Sequence, residues 1–124
     1  MKRCLIVDDS SVIRKIARRI LAGPAMLVAE AESADEALEI CTHEMPEIVV
    51  VDYRLPDMDS IELIGRLARL DPQRKPNIIF CVCEFDVGLL TRAKRAGASG
   101  YLMKPFTRLQ LLESFRELDA KAAA

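Results

Sequence analysis

Four side chains stand where chemistry could be done: Asp8 and Asp9 directly after the apolar run Cys4–Val7, Asp52 directly after Ile48–Val51, and Lys104 directly after Gly100–Met103. Three carboxylates gathered in one crevice repel each other and raise the cost of full ionisation, so near neutral pH they need a cation or an ammonium group to balance them. A hard divalent ion meets that need. Magnesium favours oxygen ligands, keeps several waters, and is usually held by one or two carboxylates together with phosphate oxygens, which matches this inventory. Lys104 adds a mobile point charge for a further phosphate oxygen. Taken singly, an aspartate at a strand end is often a turn former or a helix cap, and a lone lysine is often a surface residue. Asp52 is the stronger signal, because a charge that follows Val49, Val50 and Val51 should face a crevice. The combination carries the inference of phosphate chemistry.

These residues meet only if the elements between them bring the strand ends together. Cys4–Val7 reads as a strand, and Ser11–Ala22 as a helix with Val12, Ile13, Ile16, Ala17, Ile20 and Leu21 at helical spacing. Gly23 and Pro24 stop it. Leu27–Ala31 is a second strand, and Ser33-Ala34-Asp35-Glu36 is a capping box that opens a helix running to about Glu44. Ile48–Val51 is an unbroken apolar strand, suited to burial on both faces, and the loop Asp52–Asp59 leads to a helix ending near Leu70. Ile78–Val82 makes the fourth strand, Asp86–Ala96 the fourth helix, and Gly100–Met103 the fifth strand. A second capping box, Thr107-x-x-Gln110, opens a last helix carrying Leu111, Leu112, Phe115 and Leu118, and Lys121–Ala124 reads as a frayed end. Strict alternation of strand and helix implies a doubly wound α/β fold, a five-stranded parallel sheet with five helices on its two faces. In such sheets the functional crevice lies beyond the carboxyl ends of the strands, where all four residues stand.

Composition narrows the classes further. At 124 residues the chain suits one domain over 1–124 and leaves no room for a second catalytic or DNA-binding module. No apolar run approaches the length of a membrane span, and the charged start Met1-Lys2-Arg3 leads only to a short apolar run ended by Asp8 and Asp9, so a cytoplasmic protein is expected. Cys4, Cys41, Cys81 and Cys83 show no zinc spacing and read as buried, reduced thiols. A net charge of −1 argues against nucleic acid as a partner. The basic cluster Arg14, Lys15, Arg18 and Arg19 reads as the solvated face of a helix.

The same residues resemble a known family, the receiver domains of two-component signalling, and among them the chemotaxis-type single-domain regulators. Cys4-Leu-Ile-Val-Asp-Asp-Ser-Ser-Val-Ile-Arg14 is similar to the family's opening. Val51-Asp-Tyr-Arg-Leu-Pro-Asp-Met-Asp59 is similar to its phosphoacceptor loop, and Gly97-Ala-Ser-Gly-Tyr-Leu-Met-Lys-Pro-Phe106 to its closing segment. The resemblance implies a flavodoxin-like sheet in the order 2-1-3-4-5. It implies Asp52 as the nucleophile that takes a phosphoryl group from a phosphohistidine on a sensor histidine kinase or histidine phosphotransfer protein. Asp9, Asp52 and the backbone carbonyl of Arg54 would hold magnesium, with Asp8 acting through water, and Lys104 would grip a phosphoryl oxygen. The Lys104–Pro105 bond resembles the family's cis peptide, although trans is the default for such a bond. Tyr101 would be the aromatic that swings between exposed and buried positions. Output would pass to a downstream protein through the fourth helix, fifth strand and fifth helix, with no nucleic acid or membrane involved.

Three departures stand out. Val82 occupies the place where the family carries Ser or Thr, and a valine cannot donate to a phosphoryl oxygen, so weaker or rerouted switching toward Tyr101 is expected. Ser60 stands where the family usually has Gly, and could stiffen the loop or cap the next helix. Arg54 and Glu84 stand two residues beyond Asp52 and Val82, at positions that in the family border the phosphoryl site, and could pair across it. Other classes fit less well. An aspartyl-phosphate hydrolase of the haloacid type needs a second Asp at the position of Arg54. A flavin carrier needs a Gly/Ser/Thr phosphate loop where Asp8 and Asp9 stand. The alternative that remains is a receiver-like protein-binding module that signals without phosphate.

Overall fold

The computed structural model describes residues 2–123, without the side chains of residues 121–123; the frayed end expected at 121–124 lies outside the described side chains. Strands and helices alternate without exception: β1 (Lys2–Val7), α1 (Ser11–Leu21), β2 (Met26–Ala31), α2 (Ala34–His43), β3 (Ile48–Asp52), α3 (Ser60–Leu70), β4 (Asn77–Val82), α4 (Val87–Ala96), β5 (Gly100–Met103) and α5 (Arg108–Ala123). All strand pairs are parallel, in the order β2-β1-β3-β4-β5, so the expected topology holds. β3 is central and buried along its whole length, which its run of valines permits because both faces of the sheet are covered.

Strand alternation sends neighbouring side chains to opposite faces. On one face Val49, Val51, Ile78, Phe80 and Val82 pack with α2, α3 and α4 through residues such as Ala37, Leu63, Ile64, Leu67 and Ala93. On the other face Ile48, Val50, Ile79, Cys81 and Leu102 pack with α1 and α5 through Ala17, Leu21, Leu111, Phe115 and Leu118. Burial pushes the Cys4 and Cys81 thiols up to about 12 and Cys41 up to about 11, which keeps them protonated. Cys83 departs from the expected burial: it lies just past the end of β4 and is exposed.

Local bonds set where the helices begin. Ser33 accepts from the Glu36 amide, and Thr107 and Gln110 cap each other reciprocally, as the two capping boxes predict. Asp59, not Ser60, caps α3 by accepting from the amides of Ile61 and Glu62. Asp57 reaches across from the β3–α3 loop and accepts from the amides of Ala34 and Asp35, both at 2.9 Å, at the start of α2. Gly97 closes α4 at φ 134°, in the region open to glycine, and a Cβ there would stand 2.6 Å from the Ala68 Cβ on α3. The basic stretch of α1 is not simply a solvated face. Arg14 is largely covered, pairs with Glu30 of β2 at 3.1 Å, and donates to the Asp8 carbonyl at 2.7 Å; Arg18 also reaches Glu30. No helix among the described residues is long and apolar enough to cross a membrane.

Candidate functional site

Asp8 follows β1, Asp52 ends β3 and Lys104 follows the edge strand β5, so each emerges at the carboxyl end of a strand. Counting back along the alternation, all three lie on the α1/α5 face, the side of Cys81 and Leu102. They converge. The Lys104 ammonium donates to Asp8 Oδ2 at 2.7 Å and to Asp52 Oδ1 at 2.8 Å, and both carboxylates are buried. Asp9 is exposed at the rim, and ligand oxygens of Asp8, Asp9 and Asp52 lie within 4.8 Å of one another. A crevice of about 540 Å³ opens over these groups, lined also by Ser10, Ile16, Tyr53, Arg54, Cys83 and Phe106.

The electrostatics follow from burial. Desolvation raises the Asp52 carboxyl above its ordinary value and the Asp8 charge adds to this, while the Lys104 bond and the Arg54 backbone amide pull it back. Burial alone would lower Lys104, yet its bonds to Asp52 and Asp8 prevail and push it up to about 12. Three carboxylates and one ammonium leave two formal negative charges at the mouth of the sheet, the charge that one divalent cation balances. The three carboxylates there offer hard oxygens, which suits magnesium. The Asp8 side is held rigidly, since its carboxylate also accepts from the Ser10 amide at 2.9 Å and its carbonyl from Arg14.

Other residues singled out from the sequence lie elsewhere. Val82 is fully buried on the opposite face, among the residues packed against α2, α3 and α4, and does not line the crevice. Tyr101 is 47% exposed and meets Phe85 edge-on, with ring centroids 6.0 Å apart. Glu84 is exposed, and no ion pair joins it to Arg54 among the described residues. The Lys104–Pro105 bond is cis. Two contributors escaped the sequence reading. Cys83 stands at the rim, where extending the β4 alternation by one residue would have suggested a face but not exposure. Ser60 donates from Oγ to the Asp52 carbonyl at 2.6 Å while buried, a long-range bond that no local pattern announces.

A family model for the response regulator receiver domain matches residues 4–116. The chain belongs to the receiver domain family. Among curated relatives, the chemotaxis protein CheY of Thermotoga maritima is 32% identical to this receiver domain over 119 residues, covering 95% of this chain and 98% of that one. CheY of Bacillus subtilis is 32% identical over 116 residues, with coverage of 93% and 95%. Among solved structures, a CheY-like receiver domain protein from Methanospirillum hungatei superposes with a TM-score of 0.89 at 31% identity, covering 99% of this chain and 98% of its own. CheY4 of Vibrio cholerae superposes at 0.88 with 26% identity, covering 94% and 98%. A receiver domain of the CheY type is a signalling protein.

Proposed function

We propose that this receiver domain is a phosphorelay switch that accepts a phosphoryl group on Asp52 and passes the signal on by protein–protein contact. The single observation that carries the reading is the Lys104 ammonium, bonded at once to Asp8 and Asp52 beside Asp9 in an open crevice. An oxygen of the Asp52 carboxylate attacks phosphorus, the bond from phosphorus to the donor's imidazole nitrogen breaks, and the electron pair leaves with that nitrogen. Phosphoryl transfer of this kind depends on positioning and charge neutralisation more than on an acid or base. Asp9, Asp52 and the Arg54 carbonyl would hold magnesium, with Asp8 through water; when bound, the ion supplies neutralising charge for the phosphoryl oxygens.

Lys104 has two roles in this scheme. Before transfer it compensates the Asp8 and Asp52 charges, which lowers their mutual repulsion. After transfer, with the acceptor carrying close to two negative charges, it turns to the phosphoryl oxygens. The donor is a phosphohistidine on a sensor kinase or phosphotransfer protein, the setting is the cytoplasm, and the target is a protein that reads α4, β5 and α5. Exposed Phe85, Val87 and Tyr101 on that side support a protein partner. The burial of Val82 in an apolar cluster favours the second reading, a module that binds partners without phosphate. Incubation with acetyl phosphate and magnesium, followed by intact mass, tells the two apart: a labile gain of one phosphoryl group, lost in Asp52→Asn, supports the switch, and no gain supports the module.

A further inference from the structure

Asp52 leaves β3 through a peptide unit that is held at both poles. Its carbonyl oxygen accepts from Ser60 Oγ at 2.6 Å, and the N–H of the same unit, that of Tyr53, donates to the Cys81 carbonyl at 2.8 Å. A peptide unit is planar, so bonds at opposite edges fix its orientation and with it the last backbone torsion of Asp52. That torsion governs how the chain turns away from the strand behind the Asp52 side chain. The Asp52 carboxylate is tied at the other end to Lys104 at 2.8 Å, so the residue is restrained from both its backbone and its side chain.

The Ser60 hydroxyl is free for this task because α3 does not need it. Asp59 caps the helix, accepting from the amides of Ile61 and Glu62, and Ser60 begins the first turn as a residue only 4% exposed. A hydroxyl buried to that degree must find a partner, and here the partner belongs to the acceptor residue itself. Glycine at this position would offer no donor, and alanine would leave the carbonyl without this bond. We infer that Ser60 is a positioning residue for phosphoryl acceptance: its hydroxyl clamps the Asp52–Tyr53 peptide and thereby aims the Asp52 carboxylate into the crevice. The inference rests on Asp52 being the acceptor.

Two readouts on Ser60→Ala test it, one chemical and one independent of phosphate. With acetyl phosphate and magnesium, the maximal rate of phosphoryl uptake falls about 10-fold, as expected when a nucleophile loses alignment, while the donor concentration for half-maximal rate stays within about twofold. In hydrogen exchange without phosphate, the Tyr53 amide exchanges about 10-fold faster relative to the amides of Val50 and Val51, because only its own peptide has lost a restraint. A wild-type maximal rate in the variant overturns the inference. So does a uniform loss of protection along β3 with Tyr53 no faster than Val50, since that is the mark of a merely structural role. Failure of the wild type itself to take up phosphate sinks the acceptor reading and this inference with it, whereas a reactive wild type matched by Ser60→Ala sinks this inference alone.

Discussion

Asp52 and Val82 end neighbouring strands, one row apart in register, yet they serve opposite sides of the sheet. On the α1/α5 side the strand ends carry charge, and that charge is restrained from many directions by Lys104, Ser10, Arg14 and Ser60. On the α4 side the strand end is a valine in a closed apolar cluster, and beyond it the aromatics Phe85 and Tyr101 meet at the surface. The difference teaches that the proposed acceptor site and the proposed output surface are built from different physics. No hydroxyl at position 82 spans the two. What does span them is backbone: the Lys104 amide donates to the Val82 carbonyl at 2.7 Å, so a displacement of the Lys104 backbone would pull directly on the end of β4.

The largest effect is expected at the charged end. Asp52→Asn abolishes the gain of one phosphoryl group in intact mass, and residual labelling at full stoichiometry would show that Asp52 is not the acceptor. Lys104→Met strands two buried carboxylates and costs about 2 kcal/mol of stability in magnesium-free urea titrations, part of which millimolar magnesium restores. The sign with pH follows from Lys104 being raised from 10.5 to about 12 in the folded protein. Its contribution is complete below about 10.5 and fades as pH rises through about 12, so wild type and Lys104→Met converge only in strong alkali.

At the apolar end a smaller effect is expected. Val82→Thr buries a hydroxyl among hydrocarbon and lowers stability by about 1–2 kcal/mol in the same titration. It also adds a hydroxyl at the end of β4, and a larger change in the Tyr101 ring resonances on phosphorylation than in wild type would sharpen the contrast. Equal responses would remove it. The smallest effect lies between the regions, at Asp57. Its carboxyl is held below the ordinary range by the amides of Ala34 and Asp35, and Asp57→Ala costs about 1 kcal/mol as a lost cap. That contribution is present above the unfolded carboxyl value and is lost as pH falls through the lowered folded value, so the two proteins converge in acid.

Much of this was legible in the residues alone. Alternating strand and helix signals announce a parallel sheet, a run of three valines announces a strand covered on both faces, and the strand order that the family resemblance implies then gathers Asp8, Asp52 and Lys104. What the pattern could not supply were contacts between elements far apart in sequence. The covered position of Arg14 depends on Glu30 of β2, and the target of Ser60 is a carbonyl eight residues back, so local periodicity read one as a solvated charge and the other as a cap. Cys83 was misjudged for a related reason. The residues before it are apolar, but the strand ends at Val82 and Cys83 is exposed just beyond it. The face chosen by Val82 follows from alternation, yet its distance from the crevice appears only once β4 is set in register with β3.

Gly97 gives the α4 side of the molecule a mechanical character. With the Ala68 methyl where a side chain at 97 would begin, the base of α4 sits against α3 with no clearance, while the opposite end of that helix carries exposed Phe85 and Val87 nearby. One added methyl at 97 would therefore act as a wedge between the two helices at that end, parting α4 from α3 without touching a single charged group.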